Sequence, residues 1–318
     1  MTARVLVTSR SFGAGGLDLE GELRAAGYDI VRASPAHDEA ELAPLLPGVD
    51  GWIAGTGPVT EAHLARAPRL RVIARYGVGY DKVDIAAAAA RGITVTNTPG
   101  ANSPAVAEHT VALLLAALRG IPAADRRVRA GDWSAWSTRE LSALTVGVVG
   151  LGRIGRLVIE RLAGFGPRVL GADPWVPADD PLFETVQRAD ASEIARDADV
   201  VTLHAPGGQT VVDAAWLAAA DRPVILVNTA RADLVDEAAV AAALRTGRVA
   251  AYAADTLATE NHGDGASPLL ASDLADRVVV TPHLAAQTRE GVDGMGSMAT
   301  ANLRAVLEGR APLHPVAP

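Results

Sequence analysis

Gly150, Gly152 and Gly155 follow a short apolar run, Thr145 to Val149, and lead into a segment whose apolar residues recur at helical spacing through Leu162. That order reads as strand, turn, helix. Gly150 allows the tight turn, Gly152 lets backbone approach a pyrophosphate, and Gly155 lets helix and strand pack closely. The phosphates would rest on the backbone N–H groups of the first helical residues, Arg153 and Ile154, where the positive end of the helix dipole favours an anion. A second strand, Arg168 to Ala172, ends at Asp173, where a ribose-binding carboxylate belongs. Glycine turns between strand and helix are common without any ligand. Strand, glycines, helix and terminal acid in register point to dinucleotide binding.

Further polar residues collect at the ends of apolar runs. Asp199 to Leu203 ends in His204-Ala205-Pro206, Val224 to Val227 in Asn228-Thr229-Ala230-Arg231, Ala250 to Ala254 at Asp255, and Val278 to Thr281 in Pro282-His283. In an open α/β sheet, ligands bind at the carboxyl ends of the strands. Upstream, Arg75-Tyr76-Gly77-Val78-Gly79 follows another strand and holds two glycines whose backbone N–H groups could face an anion. It serves equally well as a plain strand-to-helix turn.

These residues need a frame. Val5 to Val7, Tyr28 to Val31, Gly51 to Ile53, Val72 to Ala74 and Thr94 to Thr96 read as short buried strands separated by helical segments, a small doubly wound α/β unit. Asn97 to Ser103 is a cluster of turn formers with Ser103 as the expected N-cap of a buried helix running from about Pro104 to Arg119. His109 on that helix is expected to pack or support rather than catalyse. Trp133 and Trp136 suit a subunit interface, with a satellite core as the alternative. A long helix from about Thr288 to Glu308 is expected to pack back on the first unit.

Composition bounds the function. The chain has 318 residues, enough for two domains, and 37 acidic against 29 basic residues give a formal charge of −8, which argues against a nucleic-acid surface. Without cysteine there is no disulfide, thiolate zinc site or thiol nucleophile, and no metal is expected. The N-terminus enters a strand pattern directly and lacks the layout of a signal peptide, and no apolar helix is long enough to span a bilayer. A cytoplasmic location without membrane or nucleic-acid partners is expected.

Five motifs then act together: RYGVGYDKVD at Arg75 to Asp84, NTPGANSPAVAEH at Asn97 to His109, GVVGLGRIG at Gly147 to Gly155, NTARADLVDE at Asn228 to Glu237 and TPHLAAQT at Thr281 to Thr288. On these the chain resembles the D-2-hydroxyacid dehydrogenases, and within them the phosphoglycerate dehydrogenase-like members, over essentially its whole length. The resemblance implies a discontinuous flavodoxin-like substrate domain, residues 1–98 with 286–318, into which a Rossmann NAD-binding domain, residues 99–285, is inserted. It implies a homodimer joined largely through the latter, and the length is expected to leave no room for the regulatory domains of some phosphoglycerate dehydrogenases. It assigns catalysis to Arg231, Glu260 and His283. His204 and Pro206 would border the adenine, and Thr229, Ala230, Asp255 and His283 would lie near the nicotinamide. Tyr76, Gly77, and the backbone N–H groups of Val78 and Gly79 would help hold the substrate carboxylate.

The chemistry agrees with that assignment. Hydride exchange at C2 of a 2-hydroxy acid, a CH–OH donor, needs a base for the hydroxyl proton, a cation for carboxylate and carbonyl, and a nicotinamide at contact distance. His283 would move the proton, Glu260 would hold its other ring nitrogen, and Arg231 offers a planar fork matched to a carboxylate. Three departures from the family pattern stand out. Asn261 replaces a usual proline after Glu260. Ala232 replaces a common glycine after Arg231, tolerable if the backbone there is not left-handed. Ala54 stands where phosphoglycerate enzymes tend to carry an arginine, which leaves Arg75 as the one cation expected near a distal anionic group. The alternatives are a non-catalytic NAD-sensing scaffold and a fold relative acting on a small anion such as phosphite. The formate enzymes pair the histidine with glutamine, so Glu260 argues against them.

Overall fold

The computed structural model describes residues 2–259 and 266–317. The chain divides into two compact units, residues 1–105 with 286–318, and residues 106–285. The division falls within the helix Ser103–Arg119.

The first unit is built on five parallel strands, β1 (Arg4–Val7), β2 (Asp29–Arg32), β3 (Gly51–Ala54), β4 (Val72–Arg75) and β5 (Thr94–Thr96), in the order β2-β1-β3-β4-β5. Successive side chains on a strand point to opposite faces, so each strand feeds two cores. Leu6, Trp52 and Ile73 pack on one face with Leu42, Leu46 and Leu64. Val5, Val7, Ile53 and Val72 pack on the other with Leu19 and Leu23. The helix Arg289–Leu307 seals that second face through Met295, Ala299 and Leu303. It opens on Thr288, whose side chain accepts from the Gly291 N–H, so the C-terminal segment returns to complete the first unit.

The second unit carries seven parallel strands, β6 (Thr145–Val149), β7 (Arg168–Ala172), β8 (Gln187–Arg188), β9 (Val200–Leu203), β10 (Val224–Asn228), β11 (Val249–Ala254) and β12 (Val278–Val280). Their order is β12-β11-β10-β9-β6-β7-β8, so the winding reverses between β6 and β9. A crevice opens at such a switch point, beyond the carboxyl ends of the strands. The helix Arg153–Ala163 buries Gly155, Val158, Ile159 and Leu162, the three- and four-residue spacing of one helical face. Both faces of the sheet are covered, as an all-parallel sheet requires.

Two local expectations need correction. Ser103 is the first residue of its helix rather than the cap before it, and it is buried. Trp133 belongs to no satellite core, being 80% exposed. Trp136 is 42% exposed and lies under the Arg127 guanidinium, 4.9 Å from its ring centre. Among the described residues no single helix is long and apolar enough to cross a membrane, and no group of side chains could hold a metal ion.

Candidate active site

Each glycine of the β6 turn has a distinct reason to be glycine. Gly150 has φ +93°, and a Cβ there would lie 2.5 Å from the His204 carbonyl carbon. A Cβ on Gly155 would meet the Gly150 carbonyl oxygen at 2.1 Å, so helix and turn touch backbone to backbone. Gly152 is different, because a Cβ there would meet no atom within 4 Å. Steric packing does not demand glycine at that position; open space in front of the N-terminus of Arg153–Ala163 does, if a pyrophosphate is to reach the N–H groups of Arg153 and Ile154.

The acid at the end of β7 is tied into the same turn. Asp173 accepts from the Leu151 N–H at 2.8 Å with one oxygen and from the Trp175 N–H at 2.9 Å with the other. Arg156 braces the turn from beneath, donating to the Leu151 carbonyl at 3.0 Å and pairing with Asp180 at 2.7 Å. That hydrogen bond from Arg156 holds the Asp180 carboxyl below its usual range. At the end of β9, His204 lies 2.9 Å from the Thr202 hydroxyl, and burial pushes its pKa down to about 3, so the ring is neutral.

The end of β10 is a turn shaped by one side chain. Asn228 accepts from the Ala230 N–H at 3.0 Å and donates to the Arg231 carbonyl at 2.8 Å, fixing Thr229-Ala230-Arg231 from within. Thr110 donates to the Val106 carbonyl, so its oxygen accepts the Thr229 proton at 2.7 Å. Arg231 donates to the Ala230 carbonyl at 2.9 Å. Ala232 begins a short 3-10 turn, and His37 and His283 are the only non-glycine residues with positive φ among those described. Alanine therefore replaces glycine there without backbone strain.

His283 is exposed at the end of β12, with φ +52°. A side chain in the left-handed region costs of order 1 kcal/mol and persists where the surroundings fix it. Here Asp255, 1% exposed, does so. Its carbonyl accepts the His283 N–H at 2.9 Å, and its carboxylate accepts the N–H groups of Leu284 at 2.9 Å and Ala285 at 2.8 Å. Burial would raise the Asp255 pKa, but hydrogen bonds from His109, Thr281, Ala285 and Leu284 outweigh it and keep the group ionised. Glu260 and Asn261 lie outside the described residues.

In the first unit, the loop after β4 is held by its carbonyls. The Gly77 carbonyl accepts from the Thr98 N–H at 3.1 Å, and Asn97 donates to the Val78 carbonyl at 2.8 Å. Gly77 has φ +131°, which a side chain would not tolerate there. Tyr76 is buried and donates to the Val292 carbonyl at 3.1 Å. Arg75 is 7% exposed, and its Nη1 donates to the carbonyls of Ala54, Gly55 and Tyr76. Gly79 follows in the same loop.

The second unit thus brings Gly150, Gly152, Gly155, Asp173, His204, Pro206, Thr229, Ala230, Arg231, Asp255 and His283 to the carboxyl edge of one parallel sheet. Sequence reasoning missed Arg156 as the brace of the glycine turn and Thr281 as a partner of Asp255. Thr281 stands within a motif and Arg156 directly after one, but their roles depend on contacts to residues elsewhere in the chain.

This sheet order with this turn defines a Rossmann-type dinucleotide-binding unit. Residues 111–285 match the family model described as D-isomer specific 2-hydroxyacid dehydrogenase, NAD binding domain. The chain is 42% identical over 285 residues to D-3-phosphoglycerate dehydrogenase of Mycobacterium tuberculosis (strain ATCC 25618 / H37Rv), covering 88% of this chain and 53% of that one. It is 36% identical over 266 residues to glyoxylate reductase of Korarchaeum cryptofilum (strain OPF8), covering 81% and 79%. The TT0316 protein from Thermus thermophilus superimposes with a TM-score of 0.88 at 36% identity, over 99% of this chain and 100% of that one. The chain belongs to the D-isomer specific 2-hydroxyacid dehydrogenase family, whose cofactor in the matched domain is NAD. It spans about half the length of the phosphoglycerate dehydrogenases it matches.

Proposed function

We propose that this protein is an NAD-dependent oxidoreductase that transfers a hydride between the nicotinamide and C2 of a D-2-hydroxy acid or its 2-oxo acid. The bound nicotinamide supplies the hydride; the chain supplies position, charge and the proton. Gly150, Gly152 and Gly155 shape a cradle in which the N–H groups of Arg153 and Ile154 meet the pyrophosphate. Asp173 takes the adenosine ribose hydroxyls, His204 and Pro206 border the adenine, and Thr229, Ala230 and Asp255 border the nicotinamide. Arg231 binds the substrate carboxylate and polarises the carbonyl. In the first unit, the loop of Tyr76 and Gly77 offers the N–H groups of Val78 and Gly79 as donors suited to a carboxylate. His283 gives its proton to the carbonyl oxygen during reduction and takes it from the hydroxyl during oxidation, with Glu260 as its partner.

The observation that carries this reading is the left-handed His283 turn, clamped by buried Asp255 on the same sheet edge as the open Gly152 cradle. A turn that needs three hydrogen bonds from one carboxylic residue is organised to present its side chain. For the substrate, we favour a small 2-oxo acid without a distal anion, such as glyoxylate. Ala54 is buried where a second cation would be needed, and Arg75 spends donors on three backbone carbonyls. We also propose a homodimer, in which a second copy covers the exposed Ile121, Val128, Trp133 and Trp136.

The test is NADH oxidation with a panel of 2-oxo acids, including glyoxylate, hydroxypyruvate, pyruvate and oxaloacetate. Turnover with at least one of them is expected. NAD binding without turnover of any would favour an NAD-sensing scaffold instead.

A further inference from the structure

His109 is half-buried on the helix Ser103–Arg119, and its side chain is 17% exposed. Its Nε2 lies 2.9 Å from the Thr281 hydroxyl and 3.5 Å from the nearer oxygen of Asp255. Proton counting fixes the direction of these bonds. Asp255 is an ionised carboxylate and can only accept, so Thr281, which hydrogen-bonds to it, spends its single proton there. The Thr281 oxygen is then the acceptor toward His109, and the His109 Nε2 must carry a proton. The chain of donors runs from His109 to Thr281 to Asp255, and from Asp255 its acceptors reach the backbone N–H groups of His283, Leu284 and Ala285.

We propose that His109 is a positioning residue, which acts through Thr281 and Asp255 to hold the turn that presents His283. This rests on the dehydrogenase reading only for its effect on turnover. One oxygen of Asp255 receives both the Thr281 hydroxyl and the Leu284 N–H. If Thr281 loses its donor, its hydroxyl is free to rotate and the buried carboxylate loses a fixed partner, with other acceptors competing for that proton. A turn held at φ +52° depends on such over-determination, and a misplacement of about 1 Å at an acid or base is enough to cost turnover. The sequence distance between His109 and Thr281 hides the link, although each stands in a recognisable motif, AEH and TPH.

Three variants test this. His109→Phe keeps the ring and removes the donor. His109→Gln restores an N–H donor on a side chain of similar reach. Thr281→Val breaks the same chain at its middle member while keeping shape, and stands in if His109→Phe fails to fold. For reduction of the best 2-oxo acid, His109→Phe and Thr281→Val are expected to lower kcat roughly tenfold or more, with KM for NADH nearly unchanged, and His109→Gln to recover most of the loss. Independently of turnover, amide hydrogen exchange at Leu284 and Ala285 is expected to speed up in His109→Phe and Thr281→Val and return toward wild type in His109→Gln. A His109→Gln enzyme as impaired as His109→Phe, or unchanged exchange at Leu284 and Ala285, would overturn the proposal. Wild-type protein that turns over no 2-oxo acid would instead defeat the dehydrogenase reading, and the exchange measurement would still decide the role of His109.

Discussion

The Arg75 guanidinium at the end of β4 donates to the Ala54 carbonyl at the end of the neighbouring strand β3, at 2.9 Å. The same nitrogen serves the carbonyls of Gly55 and Tyr76. Arg75 therefore ties together the two strand ends and the loop that follows, and we propose that it serves as a clamp rather than as a reader of a distal anion of the substrate.

Arg75→Ala removes the guanidinium donor from the carbonyls of Gly55 and Tyr76, at about 1–3 kcal/mol for each group left unsatisfied, while the Ala54 carbonyl keeps the Tyr76 N–H. A lowered melting temperature is expected, with kcat/KM falling by similar factors for glyoxylate and for oxaloacetate, which carries a second carboxylate. A loss confined to oxaloacetate would restore the substrate role. Paired thermal denaturation and kinetics make the distinction.

On the proposed reading, Asp173 sets the choice of cofactor. Its carboxylate is held at the cradle by the N–H groups of Leu151 and Trp175, where it would meet the adenosine ribose and repel a 2′-phosphate. Strong preference for NADH over NADPH is expected in kcat/KM, and Asp173→Ser is expected to narrow the ratio by roughly tenfold or more, the scale of one charged hydrogen bond. Equal use of both cofactors by the wild-type protein would contradict this.

A buried histidine makes the first unit sensitive to acid. Trp52 donates its indole N–H to the Thr8 hydroxyl at 2.8 Å, and Thr8 in turn lies 2.6 Å from His37 Nε2, while Nδ1 sits 3.0 Å from the Pro58 carbonyl. Burial pushes the His37 pKa down from 6.5 to about 4. The folded pKa lies below the unfolded one, so the unfolded chain takes up the proton first as pH falls. The contribution is full above about pH 6.5, declines between there and about pH 4, and amounts to about 3 kcal/mol at most. Urea unfolding followed by tryptophan fluorescence is expected to shift to lower urea at pH 5 than at pH 7. His37→Asn, which tolerates the positive φ at this position, should reduce that dependence by the share due to His37. His204, with its pKa pushed to about 3, would add a similar loss in the second unit, so a variant at His37 is needed to separate the two.

The fold was legible because both sheets are parallel and their inner strands are buried on both faces, which writes those strands as short apolar runs; the exposed edge strand β8, Gln187–Arg188, carries no such signal. The glycine turn was legible from spacing because Gly150 and Gly155 each answer a close backbone approach, while Gly152 leaves open space before the helix. Nothing in the sequence marks Asp255 as the clamp on His283, since its partners Leu284 and Ala285 are backbone groups with no side-chain signature. The clamp made by Arg75 was hidden for the same reason, because its acceptors are carbonyls. Ser103 looked like a cap by type alone, and only its burial in the first turn of the helix shows otherwise.

His283 carries the central claim, and its removal tests that claim most directly. In stopped-flow reduction of glyoxylate by NADH, His283→Ala is expected to lower the rate of the chemical step by roughly 10²-fold or more, and oxidation of glycolate by a comparable factor, with the dissociation constant for NADH nearly unchanged. A His283→Ala protein that reduces glyoxylate at the wild-type rate, or that loses activity only because it no longer binds NADH, would contradict the assignment of His283 as the acid and base.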